Sequence, residues 1–414
     1  MPVDGRFTVW CAGCDWNVDP EGEEEPAGRV ERRRRELARR LGERLLATVT
    51  AQGGQVQRGG RRDVFGLLSF GLALAVHAIT VVLLTAGVLL LVGATGALGV
   101  LGGLFVLALA WTLRPRLVRL PKDGIVLRRA DAPELYALID EVGAAVGTRG
   151  VDAVVVDADL NASVCVLGVR RRLLTLGLPL WEALTPRQRV ALLGHELGHF
   201  VNGDTRHGLV VATAYRSLTV WHDYFHPYPD PNTPLELLTN LVLLPLRLVT
   251  GGLLALLDLV ALRASQRGEY LADSAAARAG STEAAVGLMD RLLVTEPLEI
   301  ALRREINTRR MAGRRRPGGA EASAGLWEAL TGYADGIPEW EYERRRRVAA
   351  LRGHSVDSTH PPTHLRRRHL LRTARQAGTV VTDGAREDRV AAELAEAKAR
   401  TARELVRDGL DGEG

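Results

Sequence analysis

The segment Leu184–Asp204, LTPRQRVALLGHELGHFVNGD, carries the most informative pattern in the chain. Its Thr185-Pro186 pair predicts the start of an α-helix, because proline is favoured in the first helical turn. Residues four apart lie on one face of a helix, so His195 and His199 can present two imidazoles to one Zn²⁺ ion. Glu196 lies beside them, where its carboxylate could accept a proton from a metal-bound water. The spacing predicts a zinc site built on a helix.

A zinc site of this class needs a third protein ligand and an open position for water. Downstream, Glu269 and Asp273 are four apart in a segment, 261–279, that is predicted to be helical. Glu269 can therefore bind the metal while Asp273 accepts the N–H of a ligand histidine. Either residue taken alone is also explained by an exposed acidic pair on a helix.

A long apolar stretch precedes this region. Val64–Leu113 contains no charged residue, and its single ionisable group is His77. A membrane helix needs about 20 apolar residues, so roughly 50 fit two spans joined by a turn near Gly93–Gly96. A buried hairpin in a soluble core is disfavoured, because such helices seldom stay uncharged for so long. Arginines flank both ends, which predicts a multi-pass protein of the cell membrane with both ends of the hairpin, and the zinc site, in the cytoplasm.

The second apolar zone, Leu235–Leu262, is interrupted by Pro245, Arg247 and Asp258. A charge deep in a bilayer costs about 2.5 to 3.5 kcal/mol on insertion scales. Two interpretations therefore stay open for residues 205–262. They form kinked or re-entrant membrane segments, or they lie at the interface or pack within protein.

The charge balance says little about partners. The chain of 414 residues has 54 Lys and Arg against 49 Asp and Glu, a net charge of +5. This modest excess predicts no nucleic-acid partner. Of the basic residues only Lys122 and Lys398 are lysine, which is typical of a biased genomic base composition. The hypothesis that the protein binds nucleic acid or anionic lipid would rest on its charge alone.

The cysteines are too few for a disulfide framework, since the chain has three. Cys11 and Cys14 have the spacing of half a zinc ribbon, but no second C-x-x-C follows. A zinc knuckle completed by a second chain and a pair of free thiols both remain open.

The remaining patterns predict a mainly α chain with a small β-sheet, an α+β fold. Val151–Val156 is a β-branched run, Ser163–Val169 and Arg172–Leu176 are typical of short strands, and nearly everything beyond residue 262 is predicted to be helical. The expected divisions are a cytoplasmic N-terminal segment with a basic helix, a hairpin of two membrane helices, a domain that carries the zinc site and a helical tail. Their bounds are 1–60, 64–113, 120–378 and 379–414.

Four segments together resemble the integral-membrane zinc metallopeptidases that include HtpX-type heat-shock proteases and CAAX prenyl endopeptidases. The resemblance covers about Val64 to Leu371. Of the four segments, Leu184–Asp204 and Arg267–Ala276 are specific as a pair. The matching segments are Leu184–Asp204, Arg267–Ala276 (RGEYLADSAA), Leu160–Gly168 (LNASVCVLG) and Ser358–Arg367 (STHPPTHLRR).

The resemblance implies a gluzincin-type zinc metallopeptidase domain. It assigns Zn²⁺ to His195, His199 and Glu269, and makes Glu196 the general base. Asn161-Ala162 then lies on the edge strand of the active site, where a substrate can pair as an added strand.

Two further residues take roles from the same resemblance. His360 and Arg366 would stabilise the tetrahedral oxyanion or brace the site. His360 precedes two prolines, so it is also explained as a simple loop residue.

We therefore expect a zinc-dependent endopeptidase that hydrolyses membrane or misfolded proteins at the cytoplasmic face of a lipid bilayer. The alternative is a catalytically silent zinc-binding membrane scaffold or chaperone. Prenyl-protein processing would require a much larger set of membrane spans than the sequence contains.

Overall fold

The computed structural model describes residues 4–20, 22, 29–51, 64–115, 120, 124–168, 170–201, 204–315, 323–352 and 361–410. These residues are mostly helical and include a small mixed sheet, which confirms the expected fold class at that level. The first half contains α1 Arg29–Ala51, α2 Val64–Val92, α3 Ala97–Thr112, β1 Ile125–Leu127, α4 Pro133–Val146, β2 Ala153–Asp157, β3 Ala162–Leu167, β4 Arg171–Gly177, α5 Leu178–Ala183 and α6 Pro186–Val201. The second half contains α7 Asp204–Tyr224, α8 Pro234–Gly280, α9 Thr282–Leu293, α10 Thr295–Arg315, α11 Leu326–Asp335, α12 Glu339–Arg352, α13 Thr363–Arg372 and α14 Gly384–Asp408.

The sheet has the strand order β1-β2-β4-β3, with β2 and β4 parallel and the other pairs antiparallel. Three of its strands lie where the β-branched and alternating runs predict them, within two residues at each end. The short strand β1 was not predicted. Gly177 ends β4 where any side chain would collide, because a Cβ there would lie 1.9 Å from the carbonyl oxygen of Asp159. Strand β3 is an edge of this sheet.

The main hydrophobic core joins the sheet to helices on one side of it. Its largest fully buried side chains include Tyr136 of α4, Trp181 of α5 and Leu193 of α6. The C-terminal helix α14 contributes Leu394 to the same core, so the predicted helical tail packs against the domain. This packing fixes α6 from several directions and makes it a rigid base for a site.

Helices α6 and α8 approach closely at two glycines. A Cβ at Gly194 would lie 2.9 Å from the Ala279 Cβ, and one at Gly198 would lie 3.0 Å from the Cα of Ala272. The close approach brings the backbone of α8 beside the face of α6 that carries the histidines.

Two described helices are long and apolar enough to cross a membrane by length and composition: Phe65–Val92 of α2 and Pro234–Val260 of α8. Only 11% of the most apolar part of each is buried within the protein. Helix α3, with 16 residues, is apolar but shorter, and it follows α2 after a turn at residues 93–96. Pro245 lies inside α8 without ending it, so the second apolar zone and the Glu269 segment form one helix of 47 residues.

Helices α2, α7 and α8 share a second, smaller core. It contains Ala73 and Val76 of α2, Leu218 and Trp221 of α7, and Leu257 of α8. Polar side chains are paired between the helices, as where the Nε2 atom of His77 lies 3.1 Å from the Thr213 hydroxyl.

The N-terminal segment packs on the helical domain at two places. Residues 4–20 place Trp10 and Val18 against Val348 of α12. Helix α1 buries Leu46 and Val49 against residues of α8 and α13. Cys11 and Cys14 are free thiols. The predicted basic helix rests on leucines four apart at positions 37, 41 and 45, and the side chains of the first two lie outside the described residues.

Candidate active site

Helix α6 presents both histidines of the HELGH segment on one face. It begins at Pro186, and the backbone N–H of Thr185 donates to the Gln188 side chain at 3.0 Å, which closes the first turn. The imidazole rings of His195 and His199 meet edge to face with centroids 4.9 Å apart, and their Nε2 atoms are 3.3 Å apart. His195 is buried and His199 is half-buried, so the pair faces a partly open position.

Helix α8 brings Glu269 to the same point. One carboxylate oxygen lies 3.5 Å from His195 Nε2 and the other 3.6 Å from His199 Nε2. Tetrahedral zinc bonds of about 2.0–2.1 Å place neighbouring ligand atoms about 3.3–3.4 Å apart. The three groups offer ligand atoms within 4.8 Å of one another, and two imidazoles with one carboxylate are a donor set of catalytic zinc sites. The residues therefore fit a metal ion.

Asp273 orients the first histidine from the next turn of α8. Its carboxylate is fully buried and lies 3.1 Å from His195 Nδ1. An Nδ1–H that donates to Asp273 leaves the Nε2 lone pair free to face the metal position. An outer partner of this kind fixes the tautomer and the orientation of a ligand histidine.

Arg366 enters the cluster from α13. Its guanidinium donates to both oxygens of Asp273, at 3.0 and 2.7 Å, and lies 3.3 Å from His195. The side chain is buried, and its fork is occupied by Asp273. Of the two roles implied by the resemblance, this arrangement favours bracing the site.

The charges of the cluster shift its pKa values. Burial would raise the pKa of Asp273, but the Arg366 charge and the hydrogen bonds from His195 and Arg366 outweigh it and hold that pKa well below its usual range. Burial and Arg366 act to lower the pKa of His195, yet the carboxylates of Asp273 and Glu269 raise it overall. Protons and a metal cation therefore compete for this imidazole.

Glu196 follows His195 on α6 and is buried, with 6% of its surface exposed. Its negative charge is close enough to contribute to the raised pKa of Arg366. The carboxylate thus stands beside the metal-ligand group, on the helix that carries two of its members.

Asn161 and Ala162, the predicted substrate-binding residues, lie at the edge of the sheet beside α6. Ala162 begins the edge strand β3, which packs against α6, and the exposed Asn161 precedes it, with its carbonyl accepting the Gly177 N–H at 3.0 Å. His360 lies outside the described residues.

Sequence reasoning missed His369, which is fully buried behind the site. Its Nδ1 lies 3.2 Å from the Thr50 hydroxyl of α1, and its Nε2 lies 3.0 Å from the Ser274 hydroxyl of α8. Its position three residues after Arg366 puts both on one face of α13, which is the only sequence signal for it. His369 links helix α1 to the metal-binding part of α8.

Residues 130–374 match the model of peptidase family M48. The match covers more than half of the chain, and the chain belongs to this family of metal-dependent peptidases. Membership agrees with the resemblance to HtpX-type and CAAX proteases and implies metallopeptidase activity. No curated protein and no solved structure matches the chain significantly.

Proposed function

We propose that this protein is a zinc-dependent membrane endopeptidase that hydrolyses peptide bonds of membrane or misfolded proteins at the cytoplasmic face. The observation that carries the proposal is the convergence of His195, His199 and Glu269, with the Glu196 carboxylate next to them on α6. A bound zinc ion would supply a Lewis acid for the peptide carbonyl and lower the pKa of water.

The chain's own residues perform the proton transfers in this scheme. Glu196 accepts a proton from the attacking water and donates it to the leaving amine, the usual dual role of a general base. Asp273 and Arg366 hold His195 in one tautomer and one orientation. Because both carboxylate oxygens of Asp273 bind Arg366, the guanidinium is kept in place when the charge at the site changes.

The substrate class that we propose is an extended polypeptide. Strand β3 is an edge of the sheet and packs against α6, so a substrate strand paired with β3 would run past the metal ligands. Such pairing uses backbone groups and tolerates many side chains, as proteolysis of misfolded proteins requires.

We also propose four membrane-spanning helices: α2, α3, α7 and the first part of α8. Exposed leucines and valines of α2 and α8 suit contact with lipid, and α7 packs between these two helices in their shared core. At 1.5 Å per residue, the 21 residues of α7 are about 30 Å long, close to the thickness of the hydrocarbon core. The loop between α7 and α8 then lies outside the cell, and α8 returns to deliver Glu269 to the cytoplasmic site.

Hydrolysis of an unfolded model protein such as casein by the full chain, purified in detergent with Zn²⁺, tests the activity. We expect Glu196→Gln to lower the rate by about 10²–10⁴-fold, the usual contribution of a general base. Glu328→Gln, on the exposed surface of α11, is the matched control and should leave the rate unchanged. Equal cleavage by Glu196→Gln, or cleavage that survives a zinc chelator, would contradict the proposal. Tight zinc binding without hydrolysis would support the silent scaffold instead.

A further inference from the structure

The proposed peptidase makes no use of Cys11 and Cys14, which lie in a tight turn. Residues 12–14 form the turn between them, and the Cys11 sulfur interacts with the N–H groups of Gly13 and Cys14 and with the Cys14 thiol. The turn is closed by a hydrogen bond of 3.0 Å from the Cys11 N–H to the Trp16 carbonyl. The two sulfurs are therefore neighbours, and three donors face one of them.

Both thiols are accessible to a reagent. Cys14 is exposed and Cys11 is half-buried. Among the described residues, no third acidic, histidine or cysteine side chain joins them in a potential metal-binding group. The donors around Cys11 favour its thiolate and lower its pKa, whereas burial raises the pKa of the third cysteine, Cys165.

We propose that Cys11 and Cys14 are a reversible thiol–disulfide couple, in which Cys11 is the attacking thiolate and Cys14 resolves the product. With a hydroperoxide as oxidant, the Cys11 sulfur attacks one peroxide oxygen, the O–O bond breaks, and the departing oxygen takes up a proton. The Cys14 sulfur then attacks the resulting Cys11 sulfenic acid, an S–S bond replaces the S–O bond, and water leaves. The dithiol loses two electrons and two protons, and the peroxide is reduced by two electrons. A dithiol reductant reverses the change by exchange.

The turn is bound to helix α12, which is linked through Asp290 to the helix that carries Arg366. Arg347 of α12 donates to the Ala12 carbonyl and the Asp15 carboxylate, both at 2.7 Å. Its neighbour Arg346 binds Asp290 of α9 at 2.8 Å. A change in the conformation of the turn would therefore shift Arg347 on α12 and, through the neighbouring Arg346, the position of Asp290.

Asp290 also contacts α13. It accepts a hydrogen bond of 2.8 Å from Arg367, the residue after the active-site Arg366. We expect oxidation of the Cys11–Cys14 turn to alter the peptidase rate through this chain of ion pairs. This expectation about rate rests on the proposed function, whereas disulfide formation does not.

Thiol trapping on the full chain in detergent tests the couple. The reduced protein is exposed to hydrogen peroxide, its remaining thiols are alkylated, and the cysteine peptides are identified by mass spectrometry. We expect the wild type to lose two alkylation sites, at Cys11 and Cys14, and to regain them with dithiothreitol. In Cys14→Ser, a dimedone adduct should form at Cys11. In Cys11→Ser, oxidation of Cys14 should be about tenfold slower or more.

The control is Cys165→Ser, which should oxidise at residues 11 and 14 like the wild type. Oxidation of Cys11 no faster than that of Cys165, or a tightly bound metal ion that protects both sulfurs in the isolated protein, would overturn the couple. Casein hydrolysis should differ by about twofold or more between the oxidised and reduced wild type, and by less in Cys14→Ser. A disulfide without this rate difference overturns the transmission alone, and reduced protein without any hydrolysis counts against the proposed peptidase alone.

Discussion

At the residue scale, Asp273 determines how the candidate metal-binding group is held. Its fully buried carboxylate accepts hydrogen bonds from both His195 and Arg366. A buried charge is costly unless it is paired and hydrogen-bonded, and here one carboxylate satisfies two cationic or polar partners. Arg366 thus holds the Asp273 carboxylate in place, and the carboxylate in turn fixes the orientation of the His195 imidazole.

Replacement of Asp273 by asparagine should weaken metal binding. Outer partners of ligand histidines contribute about 10–100-fold to metal affinity, so Asp273→Asn should raise the zinc dissociation constant by that factor. Competition with a chromophoric chelator measures it. Glu196→Gln, which changes no ligand and no partner of a ligand, should bind zinc as the wild type does. Equal affinities in all three proteins would show that Asp273 does not orient His195.

Asp157, at the end of β2, gives a prediction about pH. Burial raises its pKa to about 6 from 3.8, although the Asp159 N–H donates to it. Below pH 3.8 the carboxyl is protonated in both the folded and the unfolded chain and has no effect. Between pH 3.8 and about pH 6, the Asp157 carboxyl ionises in the unfolded chain but stays protonated in the folded chain, so the free energy of unfolding falls. Above about pH 6 the carboxyl is ionised in both states, and the loss stays constant.

Asp157→Asn should therefore stabilise the protein at pH 7.5 and have much less effect at pH 4. A shift of one pKa unit corresponds to about 1.4 kcal/mol, so the gain at pH 7.5 is at most about 3 kcal/mol. Thermal unfolding of the wild type and the variant at both pH values measures it. Asp388→Asn, an exposed position on α14, is the control. A gain that is the same at both pH values would rule out this origin.

At the element scale, the site depends on how closely α6 and α8 approach. Gly198 lies within the HELGH segment itself, and a Cβ there would lie 3.0 Å from both the Ala272 Cα and the Ala275 Cβ. Since one contact is with backbone, no side-chain rotation relieves it. An added methyl group must push the histidine helix away from the helix that carries Glu269.

Gly198→Ala should therefore destabilise the protein by about 1–3 kcal/mol, the usual cost of overpacking, and weaken zinc binding. Urea unfolding and chelator competition measure the two effects. Gly332→Ala on α11 is the matched control, because its Cβ would meet nothing within 4 Å. It should be neutral or slightly stabilising, as alanine is favoured over glycine in a helix. Unchanged zinc affinity in Gly198→Ala would show that the helix separation is not critical.

The sequence predicts helices α6 and α8 better than it predicts that they pack against each other. Spacings of four residues place His195 with His199, and Glu269 with Asp273, because a helix has a fixed local geometry. No local pattern brings α6 to α8 across the intervening residues. Before the fold is known, they are joined by the need of a zinc site for a third protein ligand and by the family resemblance. Arg366 and His369 lie further still along the chain. The burial of His369 between α1 and α8 depends on tertiary packing, which no local pattern shows. Strand β1, with three residues, is too short to show a periodicity.

At the scale of the whole molecule, α8 connects two environments. Its first part carries exposed apolar side chains, and its last part is buried against α6 in the main core. Asp258 lies near the end of the apolar part and is hydrogen-bonded to Tyr215 of α7, which lowers the cost of a charge in the proposed membrane. A single helix thus ties the proposed membrane bundle rigidly to the metal-ligand group.

The proposed topology predicts which surfaces a membrane-impermeant maleimide can reach in intact cells. In a chain with Cys11, Cys14 and Cys165 replaced by serine, Asp230→Cys in the α7–α8 loop should be labelled from outside. Glu328→Cys in the catalytic region should be labelled only after the membrane is permeabilised. Both positions are exposed in the folded protein, so the comparison reports location. Labelling of residue 230 only after permeabilisation would mean that α7 and α8 do not cross the bilayer, and labelling of residue 328 in intact cells would place the active site on the outer face.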